Sequence, residues 1–349
     1  MKLFKKTIFI GPINLGGIPQ GGDQYKNQEF INYLVSQDNI ELSFIDTFNW
    51  KKSFKVWIRL FCYLNPMIRY NSIVVSASTL SALKVIRWIG LFRSLRNVTY
   101  WVVGGELQDV ISEDILKYAF LKQLNRIVVQ TKTMKEKLNG FQNVERLPNF
   151  KRINIQRAEA RIKNFEASNS EKNLKLVFMS RITESKGVRN IFEAEKYLNK
   201  QVEIDFFGPL EPSFKDEFYS FLGKHDNMRY LGFLDMKDGI EDNLDQLSFY
   251  DVFLFPTFWK SEGHAGVLID AMASGLAVIT TDWNSNKEFI HDNFNGKIVQ
   301  PNNSVSLAEA IDFYSFHRDS LLEHSMNSIN GAKEYHADIL LPRYLHTLN

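Results

Sequence analysis

The chain has 349 residues, 44% hydrophobic and 23% charged, with a formal net charge of +2. That length exceeds what a single core usually serves, and the apolar content excludes a largely disordered chain. A single cysteine, Cys62, excludes an internal disulfide framework and a multi-cysteine metal cluster.

The small total charge hides an asymmetry. Residues 1–150 hold 20 Lys+Arg against 11 Asp+Glu, a net +9, and residues 151–349 hold 22 against 29, a net −7. Such a split is a hint of an anionic surface facing one half; scattered solvated lysines are the plain alternative. No apolar run approaches the roughly 18 residues of a membrane span.

At the N-terminus, Lys2, Lys5 and Lys6 are followed only by Thr7, Ile8, Phe9 and Ile10 before Gly11 and Pro12. An export signal needs an apolar core of roughly 7–15 residues, so the reading is a short buried strand and then a glycine loop over 11–22. A helix follows, with Phe30, Ile31, Leu34 and Val35 at helical spacing. Strands are predicted at Leu42–Ile45, Ile73–Val75, Val98–Val103 and Arg126–Val129, alternating with helical stretches. Residues 151–173 break the alternation: they are polar and charged with no apolar period, and their later part reads as a linker. A second alternation places strands at Leu174–Met179, Val202–Phe207, Met228–Leu231, Val252–Phe255 and Ala277–Thr281, and a final helix over Asn330–Leu348.

Short apolar strands alternating with helices predict parallel sheets. The expectation is an α/β chain of two Rossmann-like domains facing a central cleft. Residues 1–165 form the N-terminal domain and 166–330 the C-terminal domain, with a helix in 331–349 packing back toward the first. In such sheets ligands sit outside the carboxyl ends of the strands.

The densest chemical signal runs from Pro256 to Asp282. A strand ends, a loop carries Glu262, and a helix from about His264 to Ser274 carries Asp270. Eight residues of helix span about 12 Å, and two acids that far apart suit two ends of an extended polar ligand rather than one shared proton. The helix start offers free amides and about half a positive charge to a phosphate; His264, Ala265, Gly266, Val267 and Leu268 form it. A second signal is Arg181 and Lys186 directly after a strand, where two cations can clamp a diphosphate. No Asp-x-Asp pair occurs, so a metal-chelating diphosphate site of that type is absent, and no metal or other cofactor is expected. Gly21 and Gly22, and Gly208 after another strand, let a backbone approach a ligand closely. Each of these residues also has a bland reading as a turn, a surface charge or a helix-start acid. Gly-x-Gly-x-x-Gly, Walker and His-Glu-x-x-His motifs are absent.

In order along the chain, Gly21-Gly22, Leu147-Pro148-Asn149, Arg181 with Lys186-Gly187, Phe207-Gly208-Pro209, Leu231-Gly232-Phe233, Glu262 with Asp270, Ala271–Ile279 and Glu288 resemble the motifs of one family. It is the GT-B-fold retaining glycosyltransferases of family four, which includes sucrose synthase and many bacterial polysaccharide enzymes. Ser180 replaces a usual glycine and Asp270 a usual glutamate, with one methylene less reach. The Asp282, Trp283, Asn286, Glu288 wording resembles enzymes of capsule and O-antigen synthesis. The resemblance implies that Arg181 and Lys186 bind the donor diphosphate, Glu262 contacts the transferred sugar, and Asp270 holds the nucleotide ribose. It implies a polar group from the first domain near the anomeric carbon; Glu106 and Asp109 are the candidates, beside a plain reading as helix-start acids. No protein nucleophile is assigned.

Two stretches of the first domain mix aromatic and basic residues. In 52–64, Phe54, Trp57, Ile58, Phe61 and Leu64 share a helical face opposite Lys52, Lys55 and Arg59, and Lys84, Arg87, Trp88, Phe92, Arg93 and Arg96 form a second cluster. Either suits an anionic membrane surface; the apolar stripe also suits a core. Nucleic acid is not expected, because no recognition motif accompanies the basic residues. The expected activity is transfer of a sugar from a nucleoside diphosphate donor, UDP-linked, to a lipid-linked saccharide. It is placed in the cytoplasm, peripherally at the inner face of the cell membrane. The alternatives are a nucleotide-sugar 2-epimerase of similar fold and a non-catalytic saccharide- or membrane-binding protein.

Overall fold

A computed structural model describes residues 5–14, 17, 21–38, 40–48, 50, 54–65, 67–166, 173–233, 244 and 246–348. The chain divides into two compact units, Met1–Phe150 with Ala337–Asn349, and Lys151–His336.

In the first unit the strands are β1 (Lys5–Gly11), β2 (Ile40–Asp46), β3 (Ser72–Ser78), β4 (Val98–Val103), β5 (Arg126–Val129) and β6 (Val144–Arg146). They form one parallel sheet in the order β2-β1-β3-β4-β5-β6. Helices α1 (Gly22–Val35), α2 (Phe54–Tyr63), α3 (Thr79–Phe92), α4 (Leu107–Glu113) and α5 (Lys132–Lys137) connect them. The sheet is buried on both faces, which is why its strands read as continuous apolar runs. Successive residues feed opposite cores: Ile8, Ile10, Ile73, Val75, Tyr100 and Val102 go to one, and Phe9, Val74 and Trp101 to the other.

In the second unit, α6 (Ile155–Glu166) precedes β7 (Leu174–Met179), α7 (Val188–Ala194), β8 (Val202–Phe207), α8 (Lys215–Leu222), β9 (Met228–Gly232) and β10 (Val252–Phe255). Then come α9 (Gly266–Ala273), β11 (Ala277–Thr281), β12 (Gly296–Val299), α10 (Ser304–Phe316) and α11 (Arg318–Ala332). The sheet is again parallel, in the order β12-β11-β10-β7-β8-β9. The two Rossmann-like domains of the sequence reading are therefore present.

The boundaries differ from expectation. The first unit ends at Phe150, because residues predicted to lack structure form α6. That helix is charged overall but amphipathic, with Ile155, Ala158, Ile162 and Phe165 at helical spacing in the sequence; Ala158 and Ile162 pack on Ile329 of α11. The expected linker at 167–172 lies outside the described residues. The tail is not one helix from Asn330. Residues Ala337–His346 form a separate helix, α12, which joins the first unit. The Tyr344 ring meets Trp101 edge-on at 4.7 Å, and its hydroxyl donates to the carbonyls of Leu147 and Pro148 at 3.0 and 2.9 Å.

The α2 face is also different. Val56 and Leu60, with Leu64 just beyond, point into the core, whereas Phe54, Trp57, Ile58 and Phe61 are exposed. Arg93 does not contribute a free charge to the basic cluster: its guanidinium donates to the carbonyls of Leu64, Asn65 and Ile68 just past α2. Arg87 stacks on Tyr118 and Phe120 and donates to Lys117 O at 2.8 Å.

On α1, Lys26 is only 2% exposed, with its ammonium 5.8 Å from the Trp101 ring centre. Burial holds its pKa down at about 8, against the attraction of Asp23. Between about 8 and the ordinary 10.5 the unfolded chain binds the extra proton, so folding stability rises with pH across that window. Urea unfolding at pH 7.5 and 9.5 should show this gain for the native chain and not for K26M. Equal pH dependence of the two would contradict a buried ammonium.

Candidate functional site

Strands β11, β10, β7 and β8 are neighbours in the second sheet, so the loops leaving their carboxyl ends lie side by side. Two glycines close the gaps. Gly187 has φ +79, and a Cβ there would lie 2.1 Å from the Pro256 carbonyl oxygen. Gly208 has φ +127, and its Cβ would lie 1.9 Å from the Ser180 carbonyl oxygen. No side chain fits at either position, and the loops after β7, β8 and β10 thereby pack backbone to backbone.

This brings Lys186 to Glu262. The Lys186 ammonium donates to a Glu262 carboxylate oxygen, to which the Thr257 hydroxyl also donates at 3.0 Å. Lys186 and Glu262 are 4% and 8% exposed. Burial lowers the Lys186 pKa from its ordinary value, Glu262 partly offsets that, and Arg181 adds a smaller lowering. The exposed Arg181 guanidinium lies 4.3 Å from the Trp259 ring centre, and the Lys186 ammonium lies 4.6 Å from the same ring. One indole thus gathers both cations by attraction to its π face.

The turn after β11 braces the loop that carries Glu262. The Trp283 indole N–H donates to Trp259 O at 2.8 Å. The Asn284 amide donates to Lys260 O and Glu262 O, both at 3.0 Å, from a backbone with φ +46. The Thr281 hydroxyl donates to Thr257 O, and the Asn286 amide bonds Thr280 Oγ1 at 3.0 Å. Sequence reasoning named Trp283 and Asn286 without a role and passed over Asn284 and Thr257. An asparagine three residues past a strand was the available signal, since Asn tolerates the left-handed region.

Helix α9 starts at Gly266, with Ala265 at its N-cap and no side-chain cap hydrogen bond. Ala265 has no side-chain oxygen to cap it; its carbonyl takes the Leu268 N–H at 3.0 Å, and the earlier amides of the turn are left for another acceptor. Val267 and Leu268 belong to that turn, Leu268 packing in the core. His264 is buried, its ring edge-on to Phe289 at 4.1 Å and 5.7 Å from Tyr335. Asp270, one turn into α9, pairs with Lys151: the ammonium is 2.9 Å from each carboxylate oxygen. Lys151 was not singled out from the sequence.

The structure therefore brings Arg181, Lys186, Glu262, Gly208, Asp270 and the α9 start to one edge of the second sheet. The remaining candidates belong to the first unit. Glu106 caps α4 without a side-chain hydrogen bond to the helix, and Asp109 lies in its first turn; both are exposed. Gly21 precedes α1 in extended conformation at φ −164, and Gly22 begins the helix. Among the described residues, no three or more His, Cys, Asp or Glu side chains gather as a metal site.

T257V removes a hydrogen bond to a buried carboxylate without changing side-chain volume. Such a bond contributes about 1.5–3 kcal/mol, and urea unfolding should show a loss of that order. A loss near zero would mean that the loop does not depend on the Thr257 contact.

Residues 160–333, which include Arg181, Lys186, Glu262 and Asp270, match the family model described as "Glycosyl transferases group 1". No curated protein matches the chain. Among solved structures, the chain resembles Anabaena HepE in complex with UDP and glucose, at 15% identity and TM-score 0.71, covering 99% of each chain. It resembles sucrose-phosphate synthase from Thermosynechococcus elongatus at 12% identity and TM-score 0.78, covering 98% of each. It resembles the lipopolysaccharide outer core galactosyltransferase WaaB at 14% identity and TM-score 0.65, covering 98% of this chain and 99% of that one. Fold and domain match together make the chain a GT-B-fold glycosyltransferase whose second unit carries the group 1 domain.

Proposed function

We propose that the protein is a retaining, metal-independent hexosyltransferase of the family-four type. It moves a sugar from a nucleoside diphosphate donor, UDP-linked, to a lipid-linked saccharide in capsule, O-antigen or related cell-surface polysaccharide synthesis. The observation that carries the reading is the grouping of two cations, a buried carboxylate and an uncapped helix start on one sheet edge. HepE, solved with UDP and glucose, and WaaB, a galactosyltransferase, support the donor and acceptor classes by likeness of fold.

Lys186 is the counter-ion of Glu262. An entering diphosphate offers Lys186 and Arg181 a second anion, and the α9 amides a further one. Glu262 then accepts hydroxyls of the transferred sugar, and Asp270 those of the ribose. As the bond from the anomeric carbon to the diphosphate breaks, charge develops on the leaving oxygen. Pre-placed cations and helix amides lower the barrier by stabilising that charge. The acceptor oxygen takes the anomeric carbon on the same face, and its proton leaves with the diphosphate. Glu106 and Asp109 are the first-unit groups proposed near the anomeric centre, with Gly21 and Gly22 on the donor side.

The acceptor's lipid calls for a membrane surface. No helix among the described residues is long and apolar enough to cross a membrane. Instead α2 exposes Phe54 at 76% and Phe61 at 66%, beside Trp57 and Ile58, with Lys55 and Arg59 exposed on the same helix. An amphipathic helix of this kind lies in the headgroup layer and favours anionic lipid. The proposed location is the cytoplasmic face of the cell membrane.

R181A and E262A should each lower transfer from a radiolabelled nucleotide sugar to purified membranes by at least about a hundred-fold, R181A with its unfolding midpoint retained and E262A with a lowered one, because it leaves the buried Lys186 ammonium unpaired. Near-normal rates in both would remove the site assignment. EDTA should leave the rate unchanged; loss restored by manganese would contradict metal independence. Vesicle binding should need anionic lipid, weaken with salt and fall in a Phe54→Ser, Phe61→Ser double variant. Binding indifferent to all three would remove the membrane reading.

A further inference from the structure

We infer that Lys151 positions Asp270 as the acceptor of the nucleotide's ribose diol, an inference that rests on the donor site proposed above. Lys151 is the first residue of the second unit. Its backbone is fixed: the N–H donates to Tyr335 O at 3.0 Å, and the residue bridges to His336, whose ring bonds Ile153 O at 3.1 Å. Its side chain runs along the start of α9. A Cβ on Gly266 would stand 3.6 Å from the Lys151 Cε, so the stem lies in van der Waals contact with that turn. Asp270 is four residues on from Gly266 and on the same helix face. There the ammonium meets both carboxylate oxygens at 2.9 Å, and each of the two side chains is 13% exposed.

A carboxylate has about four lone-pair sites. The ammonium donates to Oδ2; Oδ1, 2.9 Å from it, is buried and receives no hydrogen bond among the described residues, so lone pairs on both oxygens remain for a ligand. A vicinal diol offers two O–H donors at matching separation. Asp270 is shorter than a glutamate and needs its plane set, because it cannot reach out to find the diol. Lys151 supplies that orientation. It also cancels a negative charge that a nearby diphosphate would otherwise repel. Lys151 acts through Asp270 and is a positioning residue; it does not touch the nucleotide.

The test is calorimetric binding of UDP, GDP and ADP, and of the 2′,3′-dideoxy form of each, to the full chain and its K151M, K151R and D270N variants. The native chain should prefer the diol form of its best nucleotide by about ten-fold or more, the value of a lost pair of hydrogen bonds to a charged group. K151M should abolish most of that preference while leaving dideoxy-nucleotide affinity within about three-fold. K151R should retain the preference. A general defect in folding lowers both affinities alike, so the ratio separates positioning from stability; K151Q gives the same reading where methionine beside a buried carboxylate unfolds the chain. Equal losses for both nucleotide forms, or a preference unchanged in K151M, overturn the Lys151 assignment. If D270N loses the preference while K151M keeps it, only that assignment falls. If D270N keeps it, or the native chain shows none, the ribose site itself falls.

Discussion

The ion pair between Lys186 and Glu262 is the contact on which the second unit's site depends. It is buried, so each partner needs the other: a lone ammonium or carboxylate there would stand in low dielectric without compensation. Such a pair tolerates little misplacement. The sheet order places the two loops beside each other, Gly187 removes the side chain that would hold them apart, and Thr257 fixes the carboxylate oxygen that Lys186 meets. The turn after β11 then prevents the Glu262 loop from drifting, through three side-chain donors aimed at its carbonyls. A site built on loops is thereby held by groups anchored to the sheet.

The two cations of the site are held in different ways. Arg181 and Lys186 share the Trp259 ring, which attracts cations without neutralising them. Glu262 satisfies one of the two, and the other stays exposed to solvent. An incoming dianion meets one cation that is available at once and a second that it must win from a carboxylate. The two cations therefore differ in what they require of the ligand.

Much of this was legible in the chain itself. Parallel strands buried on both faces appear as apolar runs, and all ten predicted strands lie within or along observed ones. The loops after β7 and β10 could be located because cations, acids and glycines cluster directly after those runs. What escaped had a different physical cause in each case. Helix α6 carries Ile155, Ala158, Ile162 and Phe165 at helical spacing, but the polar and charged residues between them outnumber these and masked the period. The short β6 and β12 add at sheet edges without long apolar runs. On α2 the sequence left a membrane-facing and a core-facing stripe open; Phe54, Trp57, Ile58 and Phe61 are exposed, and Val56, Leu60 and Leu64 are the residues that fit the core. Lys151 escaped because its partner lies 119 positions away, and nothing local distinguishes a lysine that reaches a helix from one that reaches water.

The last helix carries an implication for how the polypeptide assembles. Thr347 accepts a hydrogen bond from Thr99, 248 positions earlier, and Tyr344 closes the aromatic layer over Trp101. One face of the first sheet is therefore completed by residues made after the whole second unit. On the ribosome the second unit can finish first, while the earlier-made one waits with Phe9, Phe30 and Trp101 uncovered. Non-local closure of this kind is slow and leaves apolar surface exposed in the interval. The order of synthesis and the order of completion are thus reversed, and the nascent chain's need for chaperone protection extends across the synthesis of the second unit.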